Sequence, residues 1–154
     1  MDASSEVLWR MHAEYMTHVR HVETQRSTIT SVLLTLASAV LALAAVQWKN
    51  DERPHWSLGI LLMLVGFVGL ASVAKLYELY VEHKERARTF RKALAAKLPD
   101  ARIEELKAEA DERWKRDAPW LRPVPVHALW LGPHLFIMIL GAVILVTTLR
   151  AVTG

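Results

Sequence analysis

Cysteine is absent from the 154 residues, which excludes disulfides, thiolate nucleophiles, iron–sulfur clusters and Cys-based zinc sites. Proline and glycine are sparse, six of each, and neither occurs between Ser5 and Trp48, so nothing there interrupts a helix. There is no Gly-rich phosphate loop and no serine in a nucleophile elbow. His12, His55, His83, His127 and His134 have no partner at a catalytic spacing, so no catalytic residues are expected and the chain does not read as an enzyme. Glu14, His18 and His21 have helical spacing but match no metalloenzyme signature, so no metal and no other cofactor is expected. Charge of one sign is lacking as well: 16 acidic side chains are interspersed with 19 basic ones, and a net +3 distributed in this way does not imply DNA or RNA as a partner.

What the chain has in excess is apolar sequence. Hydrophobic residues make up 53%, and mean hydropathy is +0.18. The excess is concentrated in three runs, Thr28 to Trp48, Trp56 to Tyr77 and Val126 to Leu149. Each is close to the roughly 20 residues needed to cross about 30 Å of hydrocarbon. The fold class expected is therefore an all-α integral membrane protein with three transmembrane helices. Removing the spans leaves about 90 residues, spread over a tail, a short turn and one long loop, which is too little for a separate catalytic domain. The first 26 residues carry Asp2, Glu6, Glu14 and Glu23 and no apolar segment, which predicts that they are not a cleavable leader.

Orientation is read from Lys and Arg. The tail holds Arg10, Arg20 and Arg26, the first turn only Lys49 and Arg53, the segment from Glu78 to His127 twelve, and the C-terminal end only Arg150. The positive-inside rule then predicts N-in and C-out. The expected organisation is a cytoplasmic stem helix (1–27), a first span (28–48), an outer turn (49–55), a second span (56–77), a cytoplasmic helical region (78–125), a third span (126–149) and an outer C-terminus (150–154). Trp48 and Trp56 flank the outer turn, and Tyr77, Tyr80, Trp120 and Trp130 gather at the other interface, where amphipathic rings prefer to sit. No Asp, Glu, Lys or Arg lies deep in a span, and Lys75 is close enough to the boundary to snorkel, which disfavours a proton pump or an ion-coupled transporter.

The tail is more than a tether. Leu8, Met11, Tyr15, His18, Val22, Gln25 and Ile29 step by three and four, a heptad seam running into the first span and a candidate oligomer seam. His18 and Gln25, polar at seam positions, either fix register or face solvent. Leu76, Tyr80, His83, Ala87, Phe90, Leu94 and Leu98 continue the second helix until Pro99, so two long helices are expected to form an antiparallel hairpin. Asp100 is placed to cap a third cytoplasmic helix, Ala101 to about Asp117, whose stripe of Ile103, Leu106, Ala110 and Trp114 would pack on the stems. The stretch Ala118 to Pro125 has three prolines and is expected to be extended. Gly132-Pro133 marks a kink or a delayed start of the third span.

Three further features bear on function. Thr28, Ser31, Thr35, Ser38, Ala42 and Ala45 form a stripe of small and hydroxyl side chains along the first span. It either packs against another helix or lines a weakly polar pore made by several copies. The basic residues Lys84, Arg86, Arg88, Arg91 and Lys92 stand just after the second span and suit either anionic lipid head groups or a phosphate-bearing ligand. His127 and His134, near the inner end of the third span, are expected at the interface.

The segment Tyr15-Met16-Thr17-His18-Val19-Arg20-His21-Val22-Glu23-Thr24-Gln25-Arg26, followed by a Ser/Thr-containing apolar helix, resembles the start of small SLATT-type and RipA-like bacterial membrane proteins. The resemblance spans roughly Tyr15 to Leu98. It implies a homo-oligomer of the bacterial inner membrane and, for SLATT proteins, a pore-forming effector in nucleotide-signalled antiphage defence. A nucleotide ligand or a cytoplasmic regulatory protein is the partner so implied, beside the lipid bilayer and further copies of the chain. Two functional expectations follow: a channel or pore-forming effector gated through its cytoplasmic helices, or a non-conducting oligomeric scaffold or accessory subunit that recruits a partner.

Overall fold

The computed structural model describes residues 2–50, 55–117 and 126–153. The described helices are α1 (Ala3–Lys49), α2 (Trp56–Lys97), α3 (Ile103–Asp117) and α4 (Val126–Thr153), with a 3-10 turn at Pro99–Ala101. The Pro-rich stretch, with Trp120, and the tip of the first turn lie outside the described residues. Asp2 starts α1: its carboxylate accepts from the Ser5 backbone N–H at 2.8 Å and from the Ser4 hydroxyl at 3.0 Å, satisfying donors that the first helical turn leaves open. Hydrogen bonds from the Ser5 hydroxyl and amide and from Ser4 hold the Asp2 carboxyl down at about 2.

Both long helices are continuous and contribute to two compact units, one of residues 1–24 and 77–125, the other of 25–76 and 126–154. In the first unit, α1 and α2 run antiparallel. The His12 Nδ1–H donates to the Ala87 carbonyl at 3.0 Å, Tyr15 stacks on Phe90 with centroids 5.6 Å apart, and His18 lies over His83 at 5.2 Å. The Lys97 amine also reaches the Ser4 hydroxyl. Ala87 is buried between the helices, and Val19, Val22 and Leu94 complete the seam.

α3 differs from its expectation in two ways. It begins at Ile103, because Asp100 falls inside the 3-10 turn and Arg102 makes the reversal in a left-handed conformation at φ 47°. Its apolar stripe is also turned outward: Ile103 is half-buried, while Leu106 and Trp114 are 57% and 55% exposed. None of its residues is buried. The face turned inward is polar, and the Glu104 carboxylate meets Arg91 of α2 through Nε at 3.1 Å and Nη2 at 3.5 Å.

The second unit holds three helices long and apolar enough to cross a membrane. α1 and α4 run in the same direction and α2 opposes both, as the facing pairs Thr30–His134, Arg26–Trp130 and Gly59–Gly141 show. Its core is Ala37, Val40, Ala44, Leu62, Val65, Ile137 and Ile144. At most a third of each span's apolar window is buried within the chain, so side chains such as Leu43, Phe67, Leu129 and Phe136 face outward. A surface of that kind is insoluble in water and matched to lipid, which makes this a multi-pass membrane protein.

Helix association in lipid gains little from apolar burial and rests on close packing. The glycines supply it. A Cβ on Gly59 would stand 2.8 Å from the Gly141 carbonyl oxygen, and one on Gly141 would stand 2.7 Å from the Gly59 carbonyl oxygen, so the backbones of α2 and α4 touch there. α4 runs through Pro133 without interruption from Val126, so the proline does not delay the start of the helix.

Candidate functional site

The structure distributes the basic run over several surroundings. Lys84, Arg88 and Arg91 lie at i, i+4 and i+7 on α2 and line one cavity of about 410 Å3 within the first unit. Arg86 points elsewhere, pairing with Glu82 at 2.5 Å and lying 5.7 Å from the Tyr15 ring centroid. Lys92 lines a separate shallow groove with Glu104 and Glu105. α3 brings a fourth cation, Lys107, into the cavity, and Asp111 is the carboxylate on its lining.

The cavity has two characters. Its floor is Met16, Val19 and Ala87, and the rings of His12 and Tyr80 form part of its wall. The Ala87 carbonyl fixes the His12 tautomer by accepting from Nδ1, because a carbonyl only accepts. The cations hold replaceable partners: Arg88 pairs with Glu85 at 3.1 Å, Lys84 donates to the Tyr80 hydroxyl at 3.1 Å, and Lys107 pairs with Asp111. Lys107, as hydrogen-bond donor, lowers the Asp111 pKa, aided by the charges of Lys107 itself, Lys115 and Arg91. The lining thus joins a cationic rim to an apolar base, the surroundings that suit an anion carrying a hydrophobic group.

The candidate oligomer seam is placed largely inside the chain. Val22 is buried and Leu8, Met11 and Tyr15 are half-buried, whereas His18 and Gln25 are exposed. The Tyr15 ring is covered by Phe90, so this face is occupied by the chain's own α2.

The hydroxyl stripe has the opposite fate. Thr28, Ser31, Thr35, Ser38, Ala42 and Ala45 are all exposed, because the face that packs within the chain is that of Arg26, Thr30, Ala37, Val40 and Ala44. Thr35 donates to the Ser31 carbonyl at 2.9 Å and Ser38 to the Leu34 carbonyl at 2.8 Å, so both hydroxyl protons are used within α1. Ser31, Val32, Thr35, Leu36 and Ala39 line a shallow groove on this face.

One cluster is not foreseen in the sequence. His134, expected at an interface, is completely buried, with Nε2 3.3 Å from the Thr30 hydroxyl. Gly66 and Gly69 of α2 leave the space that its backbone and ring occupy. One turn earlier, the buried Arg26 guanidinium lies 4.6 Å from the Trp130 ring centroid. A desolvated cation over an indole contributes about 2 kcal/mol. The Gly66/Gly69 pair is the signal in the sequence; it marks a close approach but not its partner. Among the described residues, no group of three or more His, Asp or Glu side chains is placed to hold a metal. Glu14 lies 3.8 Å from His18, and His21 is exposed.

No protein-family model, no curated protein and no solved structure matches the chain.

Proposed function

We propose that this chain is a homo-oligomeric protein of the bacterial inner membrane, a channel or pore-forming effector gated through helices on the cytoplasmic side. In this reading the N-terminus and the region of α3 are cytoplasmic and the C-terminus is outside. The observation that carries it is the exposed stripe of Thr28, Ser31, Thr35, Ser38, Ala42 and Ala45, a weakly polar surface on a lipid-matched span that the chain's own packing leaves uncovered. Copies arranged with this face inward would enclose a path lined by hydroxyls, which tolerate both water and hydrocarbon. The resemblance of Tyr15 to Arg26 to SLATT-type proteins supports the effector class and a nucleotide-signalled antiphage role, with a nucleotide or a regulatory protein as the trigger.

A second reading, a non-conducting scaffold or accessory subunit, is favoured by the hydroxyl protons of Thr35 and Ser38, which are satisfied within α1 and so need no water. One set of variants separates the two. In a pore, Thr35→Asp keeps the oligomer and changes conductance or cation preference in reconstituted bilayers. Single cysteines along the stripe then react with water-soluble thiol reagents at every third or fourth position, in protein shown to permeabilise vesicles. In a packed interface the aspartate breaks assembly and the cysteines stay protected, which would refute conduction along this stripe. Topology is checked by a reporter active only outside the cytoplasm, silent when fused after Arg113 and active after Gly154.

A further inference from the structure

We propose that the cavity lined by α1, α2 and α3 binds an organic phosphate, whose anionic group bridges Arg88 and Arg91 of α2 to Lys107 of α3 and whose apolar part rests on Met16, Val19 and Tyr80. Like charges on two helices converge here. Lys84, Arg88 and Arg91 face the cavity from α2 and Lys107 from α3, with Asp111 the carboxylate on the lining. A phosphate placed among them gives cations of both helices one shared partner, and the guanidinium fork matches its oxygens two at a time.

The phosphate replaces Glu104 on Arg91 and takes over from it the link between α2 and α3, while the other partners are held only locally. Arg88–Glu85 and Lys107–Asp111 are ion pairs within single helices, at side chains one-third or more exposed. Pairs so screened by solvent are weak, so exchanging them for a phosphate costs little. Inorganic phosphate alone leaves the Met16, Val19 and Ala87 floor wetted, and the cavity volume lies within the range of small-molecule sites, about 300–1,000 Å3. A phosphate ester with a flat apolar group uses both parts.

The element that responds is α3. It buries no residue and meets α2 in an ion pair between Arg91 and Glu104, which marks it as a segment of low local stability. A ligand held by Lys107 on one side and Arg88 on the other ties it down. The geometry also separates this site from a basic face spread on a membrane, because Arg86 and Lys92 lie off the cavity. It stands whether or not the spans conduct, so loss of either reading leaves the other in place.

The full chain in phosphatidylcholine nanodiscs is titrated with phenyl phosphate and with inorganic phosphate by calorimetry, and deuterium exchange is followed over residues 103–117. The expected result is binding of phenyl phosphate about tenfold tighter than inorganic phosphate, reflecting apolar burial, with exchange in α3 slowed. Arg88→Gln and Arg91→Gln each weaken binding about tenfold, whereas Arg86→Gln and Lys92→Gln leave it within about twofold. Lys107→Gln, on exposed α3, retains weakened binding and loses the slowing of exchange. A parallel arm uses nanodiscs containing phosphatidylglycerol without added phosphate: slowed exchange there, reversed by Arg88→Gln, assigns the phosphate to a lipid head group. No binding or slowing in either arm, faster exchange in α3 on binding, or equal losses from Arg86→Gln and Arg88→Gln would each overturn the proposal.

Discussion

Gly69→Ala tests whether His134 is locked where the structure places it. A Cβ on Gly69 would fall inside the van der Waals envelope of the His134 ring, whose Nδ1, Cε1 and Cγ are the nearest atoms. The ring is completely buried and hydrogen-bonded through Nε2 to Thr30 at 3.3 Å, so it has no open side to swing into. Two effects then oppose each other. The methyl group improves helix propensity in α2 by up to about 1 kcal/mol. Overpacking costs about 1–3 kcal/mol, and disturbing the Thr30 hydrogen bond costs about 1 kcal/mol more. The clash wins, and the expected net loss is about 1–3 kcal/mol.

In a His134→Ala background the obstacle is gone, and the same substitution is expected to stabilise by up to about 1 kcal/mol while filling part of the void. The double-mutant cycle therefore carries a favourable interaction of about 1–4 kcal/mol. It is measured at its four corners by reversible unfolding in mixed micelles as the SDS fraction rises, with helical circular dichroism as the signal. Additivity within about 0.5 kcal/mol would refute the packing of the ring on Gly69. Stabilisation by Gly69→Ala in the unmodified chain would refute it more directly.

Two further outcomes are expected. The start of α1 depends on pH through Asp2: because folding lowers this carboxyl from 3.8 to about 2, its contribution is complete above pH 3.8 and is lost as the pH falls through about 2. Backbone carbon shifts of Ala3 to Glu6 should therefore stay helical at pH 4 and fray toward pH 2, and fraying already complete at pH 4 would contradict the cap. Phe90→Ala removes the partner of Tyr15, stacked at an interplanar angle of 10°; because Phe90 is half-buried, a loss of about 2 kcal/mol is expected. Hydrogen exchange should quicken over residues 5–22 and 80–94 and stay unchanged over 33–44; equal quickening in all three would contradict the division into two units.

The chain alone determined that there are three lipid-matched helices and that the first two continue well beyond their spans. Both follow from local properties: apolar runs of bilayer length, three-four spacing, and the lack of proline inside α1 and α2. The basic cluster was visible as composition. Its division was not, because whether Lys84, Arg88 and Arg91 share a cavity while Arg86 and Lys92 do not depends on which faces α1 and α3 cover. Periodicity likewise gave α1 two candidate faces, the heptad seam and the hydroxyl stripe, with no means of ranking them. Tertiary packing put the first largely against α2 and left the second uncovered.

The same limit explains α3 and His134. Amphipathic spacing implies an apolar face but names no partner, and the face of α3 that meets α2 carries Glu104, because the Arg91 guanidinium stands there to receive it. A histidine near the end of an apolar run looks interfacial until Gly66 and Gly69, about 65 residues earlier in the sequence, are brought opposite it to make room for backbone and ring. Local sequence fixes what each helix is able to bury; which of its faces meets which neighbour is decided by contacts between residues distant along the chain, where steric fit and charge pairing select one arrangement.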